Sequence, residues 1–290
     1  MHLLESTQHP LMIAHALGKI EDINYTNCEA ALRNSIRAGF QVVEADLSIT
    51  SDKQVVLYHH DRSEPADNPE YRWRRKTACQ FSWDELSQKK YLGIYPILNL
   101  QLFLALAEEF ADITFVLDIK KIVKKKVLIA KKEDEISYSN AFYLRYLKNF
   151  LRNNGYVTKI IFSIFKWSDF NYLNPHQHIF SKIVQYSNSS LLDRFAPQVD
   201  CHTFSTINEI YNFPTKIWKL SDQTTRQAFI DASQHNCPYI ALHGCKITDY
   251  EIRLGREFNI KILAYGSNDR FLVEELKARG VSGFYIDSIL

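Results

Sequence analysis

Short apolar runs alternate with longer segments of helical period from one end of the chain to the other. Eight of the runs are short and rich in β-branched and aromatic residues, as buried strands are. Strands that alternate regularly with helices are typical of α/β proteins, and eight of them match a (β/α)8 TIM-type barrel. The predicted strands are Leu11–His15, Val42–Ser48, Thr114–Ile119, Lys159–Phe162, Lys182–Gln185, Tyr239–Leu242, Lys261–Tyr265 and Gly283–Ile286.

Capping residues mark the ends of the predicted helices. A ninth β-rich run, Lys216–Leu220, exceeds the count and predicts a barrel that is irregular in its middle third. A doubly wound open sheet is the alternative fold, but the first strand lacks the GxGxxG turn of a dinucleotide site. The first predicted helix begins at Thr26 or Asn27 and ends at Gly39. A second begins at Asn99 and ends at Phe110, and the last begins at Asn268 or Asp269 and ends at Gly280.

The chain shows neither an internal repeat nor a linker of biased composition, so residues 1–290 are predicted to form a single domain. One polar and aromatic segment, at about 61–95, follows directly on a strand end. Long loops in that position commonly shape the active site of a barrel. A solvated connection is the equally open alternative.

Composition narrows the function classes. The 290 residues are 46% hydrophobic, enough for one large core, and the net charge of +2 argues against nucleic-acid binding as the main activity. Five scattered cysteines, without a metal-ligand spacing, are predicted to be reduced thiols. The chain has neither a basic secretory start nor an apolar run of about 20 residues. A cytoplasmic location is the resulting prediction.

Three acids are candidate metal ligands. Glu44 and Asp46 lie two apart in an apolar run, so on a strand both point to the same face, and Asp118 ends a later strand. Acids that point together repel each other unless a cation neutralises them, and oxygen ligands suit Mg²⁺ or Ca²⁺. For the pair taken alone, a solvent-facing strand edge is the alternative.

The candidate proton-transfer groups are two histidines at strand ends, His15 and His60. Phosphodiester cleavage needs a base and an acid, and imidazole titrates near neutral pH. His59 competes with His60, because a shift of one residue in register would exchange them. Lys120, two residues after Asp118, is predicted either to contact a phosphoryl group or to form a salt bridge with an acid.

These residues resemble the glycerophosphodiester phosphodiesterases, a family of the phospholipase-C-like phosphodiesterase superfamily. The family has a strand ending in His-Arg-Gly, an Asn-Thr helix start, a Glu-x-Asp strand, a Thr-x-Asp turn, a His-Asp pair and an acid-x-Lys strand, all in this order. The corresponding residues here are His15-Ala-Leu17, Tyr25-Thr-Asn27, Glu44-Ala-Asp46, Thr50-Ser-Asp52, His60-Asp61 and Asp118-Ile-Lys120. Two segments near the C-terminus resemble the last two strands of the family: Ile260–Tyr265, followed by Asn268-Asp269, and Gly280–Asp287.

The resemblance implies a metal-dependent phosphodiester hydrolase. It makes His15 and His60 the acid/base pair, in either order, and Lys120 a phosphate contact. It further makes Glu44, Asp46 and Asp118 the ligands of one divalent cation. A hydroxyl next to the phosphodiester would attack phosphorus, and the substrate would be a small-molecule or lipid head-group phosphodiester.

Two departures bear on the substrate. Ala16 and Leu17 replace the arginine and glycine of the His-Arg-Gly motif, and Asp118 replaces the usual glutamate. Two alternatives therefore stay open: a phospholipase D or sphingomyelinase D-like lipid phosphodiesterase, and a barrel that binds phosphorylated ligands without turnover. The candidate substitutes for the missing arginine are Lys120, Arg72, Arg74 and Arg75. A lysine-rich stretch, 120–132, is predicted to be either a peripheral membrane contact or a solvated segment.

Overall fold

The computed structural model describes residues 10–61, 71–120, 160–164, 181–185, 215–234, 237–266 and 268–287. The chain divides into two compact units. The N-terminal unit is formed by Ile13–Phe180 with Asp287–Ile289, and the C-terminal unit by Ser181–Ile286 with Met1–Met12 and Leu290.

Parallel strands form the centre of the N-terminal unit. Strand β2 pairs in parallel with the end of β1 and with β6, which pairs in parallel with β7. The end of β2 pairs with β3 in antiparallel fashion, and β4 and β5 form a separate hairpin. The strands are β1 (Leu11–Ala14), β2 (Val42–Ile49), β3 (Val55–Leu57), β4 (Lys90–Tyr91), β5 (Tyr95–Pro96), β6 (Thr114–Ile119) and β7 (Ile160–Ile164).

The helices among the described residues of this unit are α1 (Glu29–Arg37), α2 (Trp83–Ser87) and α3 (Leu100–Glu108). Asn99 caps α3 as predicted, because its side chain accepts a hydrogen bond from the Leu102 amide. The predicted cap of α1 at Thr26 or Asn27 is wrong. Cys28 occupies that position, because the Asn27 side chain is bonded to a strand instead.

In the C-terminal unit, four parallel strands pair in chain order, separated by helices. Asp269 caps the last helix and Gly280 ends it, as predicted. The elements are β8 (Ser181–Gln185), α4 (Thr215–Gln234), β9 (Tyr239–His243), α5 (Asp249–Glu257), β10 (Lys261–Tyr265), α6 (Arg270–Arg279) and β11 (Gly283–Ile286).

All eight predicted barrel strands are present to within two residues at their ends, and both units have the expected α/β organisation. The surplus β-rich run, Lys216–Leu220, is wrong as a strand, because it is the start of α4. A short apolar run alone does not separate a strand from a buried turn of helix. Most of the predicted irregular middle third and residues 121–132 of the lysine-rich stretch lie outside the described residues.

The segment predicted as a long loop carries structure in its described part, residues 71–95. It contains two short 3-10 helices, Arg72–Arg75 and Ala78–Gln80, before α2 and the β4–β5 hairpin. Its role at an active site, like the single domain over residues 1–290, stays a prediction. No helix among the described residues is both long and apolar enough to cross a membrane.

Among the described residues, three cysteines are outside disulfides, as predicted. They are Cys28, Cys79 and Cys237, of which Cys28 and Cys237 are buried. The prediction is wrong for Cys245, which forms a disulfide.

Candidate active site

The three predicted metal ligands meet on two neighbouring strands. The parallel register of β2 and β6 sets Asp46 opposite Asp118, and Glu44 precedes Asp46 by two residues on the same face. One carboxylate oxygen from each lies within 4.8 Å of the others. All three are buried, at 2%, 0% and 4% exposure for Glu44, Asp46 and Asp118, so the alternative of a solvent-facing strand edge is wrong.

Burial and mutual repulsion set the protonation of these acids. Burial, reinforced by the neighbouring charge of Asp46, raises the pKa of Glu44 to about 8. Burial also raises the pKa of Asp118, against the opposing charge of Lys120. For Asp46, burial is outweighed by Lys120 and two histidines, which hold its pKa well below the usual range. Glu44 Oε1 is buried without a hydrogen-bond partner among the described residues.

Lys120 forms ion pairs with two of the acids. Its Nζ lies 2.6 Å from Asp46 Oδ1 and also pairs with Asp118. We call Glu44, Asp46, Asp118 and Lys120 the acidic cluster. Burial opposes the ammonium charge, but the surrounding carboxylates raise the pKa of Lys120 well above its usual value. The predicted salt bridge is therefore present, and the predicted phosphate contact stays a prediction.

Two neutral groups, the Asn27 side chain and the Ala16 backbone N–H, form hydrogen bonds with two of the acids. The Asn27 amide donates to Asp46 Oδ2 at 2.7 Å, and the Asp46 backbone N–H donates to Asn27 Oδ1 at 2.9 Å. The Ala16 backbone N–H donates to Glu44 Oε2 at 2.7 Å. Sequence reasoning treated Asn27 only as a helix cap. The available signal was its place in the matched Asn-Thr position of the family pattern, just before α1.

His15 lies beside the acidic cluster and is held by an acid from the far end of the chain. A hydrogen bond of 3.0 Å joins its Nδ1 to Asp287 Oδ1, and its Nε2 lies 4.0 Å from Glu44 Oε2. Burial disfavours the imidazolium, but the Asp287 bond and the charges of Glu44 and Asp46 outweigh it and raise the pKa of His15 to about 9. Asp287 was noted in sequence only as the end of a strand, so its role was missed.

The other two histidines follow β3 and stack on each other. The ring of His59 lies 4.7 Å from that of Tyr25 and 5.6 Å from that of His60, and the Tyr25 ring meets His15 edge-on at 5.0 Å. Burial, against the field of Asp46, lowers the pKa of His59 to about 4. We call His15, Tyr25, His59 and His60 the histidine cluster. Both candidates, His59 and His60, belong to it, so the choice between them stays open.

The residues in place of the family's arginine and glycine are buried and conformationally unusual. Ala16 and Leu17 are fully buried and have φ angles of 51° and 64°. Glycine follows one residue later, where Gly18 has a φ of 107°. Of the candidate substitutes for the arginine, Arg74 is buried, donates to the Asn24 carbonyl at 2.8 Å and lies 3.5 Å from Asp61, so it is already held by other groups.

Known proteins resemble this chain in sequence pattern and in fold. A model of the glycerophosphoryl diester phosphodiesterase family matches residues 23–290. No curated protein matches the chain. Two similar solved structures each share 15% sequence identity with it and cover 96% of it. One is an Oleispira antarctica phosphodiesterase in complex with the product sn-glycerol-3-phosphate, with a TM-score of 0.62 over 93% of that chain. The other is a glycerophosphodiester phosphodiesterase from Parabacteroides distasonis, with a TM-score of 0.61 over 92%. These structures bear on the fold alone, and with the family match they confirm the (β/α)8 TIM-type fold class.

Proposed function

The chain belongs to the glycerophosphoryl diester phosphodiesterase family and is a phosphoric diester hydrolase, and from this premise we propose that it cleaves glycerophosphodiesters. The observation that carries the proposal is the convergence of three buried carboxylates, Glu44, Asp46 and Asp118, within 4.8 Å of one another. Without a cation, such a group is costly, because buried like charges repel and one of them must take up a proton.

The acidic cluster fits a divalent cation by its donor chemistry. Its ligands are carboxylate oxygens, which suit Mg²⁺ or Ca²⁺, and the buried Glu44 Oε1 has no hydrogen-bond partner among the described residues. We assign Glu44, Asp46 and Asp118 as the ligands. When bound, the cation would act as a Lewis acid that offsets negative charge on the phosphoryl oxygens.

His15 is suited to be the general acid. With a pKa of about 9, it carries a proton at neutral pH, and Asp287 on Nδ1 leaves Nε2 facing the acids. We propose that it protonates the leaving oxygen, while His60 accepts the proton of the adjacent hydroxyl, whose attack on phosphorus gives a cyclic phosphate. Water then opens the cyclic phosphate to glycerol phosphate, with His15 accepting the proton of the water and His60 returning its proton to the ring oxygen. His59 is the alternative base, since its lowered pKa keeps it neutral at pH 7.

Lys120 is proposed to contact the phosphoryl group, because its ammonium is held at the edge of the acidic cluster and stays charged. The substrate we propose is a small-molecule glycerophosphodiester, supported by the sn-glycerol-3-phosphate product that the Oleispira antarctica structure holds. A lipid substrate is the second candidate. It is favoured by Ala16, which stands where the family has the arginine that contacts phosphate. A cytoplasmic location and peripheral membrane contact remain predictions that accompany these two candidates.

A product assay separates the two candidates. The purified chain, with Mg²⁺, with Ca²⁺ or with EDTA, would be given glycerophosphocholine and lysophosphatidylcholine, and the phosphorus products followed by ³¹P NMR. Glycerol phosphate from glycerophosphocholine, lost with EDTA, is expected. Activity on lysophosphatidylcholine alone would favour the lipid candidate.

Three histidine variants test the acid/base assignment in the same assay. His15→Asn and His60→Asn are expected to lose activity while His59→Asn retains it. An active His60→Asn variant and an inactive His59→Asn variant would assign the role of general base to His59 instead. Inactivity on both substrates with either cation would overturn the proposed function and favour a barrel that binds phosphorylated ligands without turnover.

A further inference from the structure

Tyr25 has a backbone conformation that bulky residues rarely adopt. Its φ is 59°, in the left-handed region, where the Cβ atom approaches the following carbonyl. Strained residues of this kind persist only where their surroundings over-determine them, and they concentrate at functional sites. The chemistry assigned so far makes no use of Tyr25.

Hydrogen bonds hold the segment 24–27 on both sides of Tyr25. On one side, buried Arg74 donates to the Asn24 carbonyl at 2.8 Å. On the other side, the Asn27 backbone N–H donates to the Ala16 carbonyl at 3.2 Å, and the Asn27 side chain makes two hydrogen bonds with Asp46. The backbone around Tyr25 is thus tied to the turn after β1, to β2 and to the 3-10 helix that contains Arg74.

The ring of Tyr25 is placed between two imidazoles. It meets His15 edge-on, at 5.0 Å and 89°, and stacks on His59 at 4.7 Å and 21°. The His59 ring in turn stacks with that of His60, at 5.6 Å and 11°. Both are favourable arrangements for aromatic pairs, and each restricts rotation of the histidine ring about its terminal torsion.

We propose that Tyr25 is a positioning residue whose ring spaces and orients His15 on one side and the His59–His60 stack on the other. The proposal rests on the proposed function, because orientation matters only if these histidines transfer protons. Proton transfer depends on the position of the ring nitrogens, so loss of the Tyr25 ring is expected to slow turnover more than it weakens substrate binding.

The test compares four variants by kcat and KM for the phosphodiester that the wild-type chain cleaves. Tyr25→Phe keeps the ring, Tyr25→Leu keeps apolar volume without it, and Tyr25→Gly removes both ring and backbone strain. Tyr250→Leu, on α5 and outside both clusters, is the matched control. We expect near wild-type kcat for Tyr25→Phe and Tyr250→Leu, and a fall of about 10–100-fold in kcat, with KM changed less than about 3-fold, for the other two.

Each outcome bears on the proposal. Unchanged kcat in Tyr25→Leu or Tyr25→Gly would overturn it and leave the proposed function standing. An equal loss in Tyr25→Phe would overturn it in favour of a role for the hydroxyl group. An inactive wild-type chain would overturn the proposed function and this inference with it. Thermal unfolding identifies a misfolded Tyr25→Leu, in which case Tyr25→Gly decides, because glycine adopts the same φ without strain.

Discussion

The acidic cluster and the histidine cluster belong to the same unit, yet their backbones differ. The acids lie on β2 and β6, two regular strands whose parallel register places Asp46 opposite Asp118. In the histidine cluster, His15 precedes two residues with positive φ, Ala16 and Leu17, and Tyr25 itself has positive φ. Regular strands therefore position the acids, whereas His15 and its neighbour Tyr25 lie in turns of unusual conformation.

The physical requirements of the two clusters explain the difference. Carboxylates that bind a hard cation tolerate a range of directions, so strand register and alternation are sufficient to bring them together. A histidine that transfers a proton must direct one particular nitrogen. That direction comes from side-chain bonds such as His15 to Asp287 and from ring packing, neither of which a regular strand provides.

The largest effect should follow from a change in the acidic cluster. Asp46→Asn replaces one carboxylate oxygen by an NH2 group. Both oxygens face donors in the wild type, Lys120 Nζ at 2.6 Å and the Asn27 side-chain amide at 2.7 Å, so the new NH2 group would meet a donor in either orientation. We expect phosphodiesterase activity to fall on the order of 10³-fold, because a ligand of the proposed cation and one of the two carboxylate partners of Lys120 are lost together. Activity at saturating Mg²⁺ and calorimetric Mg²⁺ affinity measure it, with exposed Glu108→Gln as the control. A variant with more than a tenth of wild-type activity and unchanged affinity would contradict the assignment.

A smaller loss is expected from Asp287→Asn in the histidine cluster. The amide keeps the shape of the carboxylate but not the charge that helps to raise the pKa of His15, so we expect activity to drop about 10–100-fold. The pKa of His15, followed by NMR, should fall in the same variant. The exposed Asp22→Asn provides a matched control. If both the pKa and the activity are unchanged, His15 is oriented by other contacts.

Two glycines test how tightly the turn after His15 is packed. Gly18 and Gly39 both have positive φ, 107° and 95°, but a Cβ at Gly18 would lie 2.0 Å from Ser35 Oγ, whereas one at Gly39 meets no atom within 4 Å. Gly39→Ala should lower the free energy of unfolding by about 1 kcal/mol through backbone strain alone. Gly18→Ala should cost about 1–3 kcal/mol more through overpacking. Urea denaturation measures both, and equal losses would show that Ser35 gives way.

The smallest effect is a pH dependence of stability from His59. Its pKa is lowered in the fold to about 4 from 6.5, so the folded state binds fewer protons than the unfolded state between these values. Its contribution to stability is present above pH 6.5 and is lost as pH falls through 4. His59→Phe keeps a stacking ring without titration, so between pH 7.5 and pH 5 its free energy of unfolding should gain about 1–2 kcal/mol relative to wild type. Urea denaturation measures the free energy of unfolding at both pH values. The same difference between variant and wild type at pH 7.5 and at pH 5 would contradict the lowered pKa of His59.

Much of the fold could be predicted from periodicity. The eight barrel strands and the ends of α3 and α6 follow from local patterns, because strand alternation and capping are properties of neighbouring residues. The start of α4 and the cap of α1 could not. In the first, a short apolar run is compatible with helix and strand, and in the second the Asn27 side chain bonds Asp46 across 19 residues rather than its own helix.

By itself, the sequence determined the candidate chemistry: Glu44 and Asp46 share a face because strand side chains alternate, and Asp118 with Lys120 repeats the spacing. Only the tertiary structure decided which groups act on one another. The register of β2 against β6 brings Asp46 to Asp118, and His15 finds Asp287 across 272 positions in the chain. Such contacts depend on strand pairing and on the approach of residues that are far apart in sequence, which no local pattern of residues encodes.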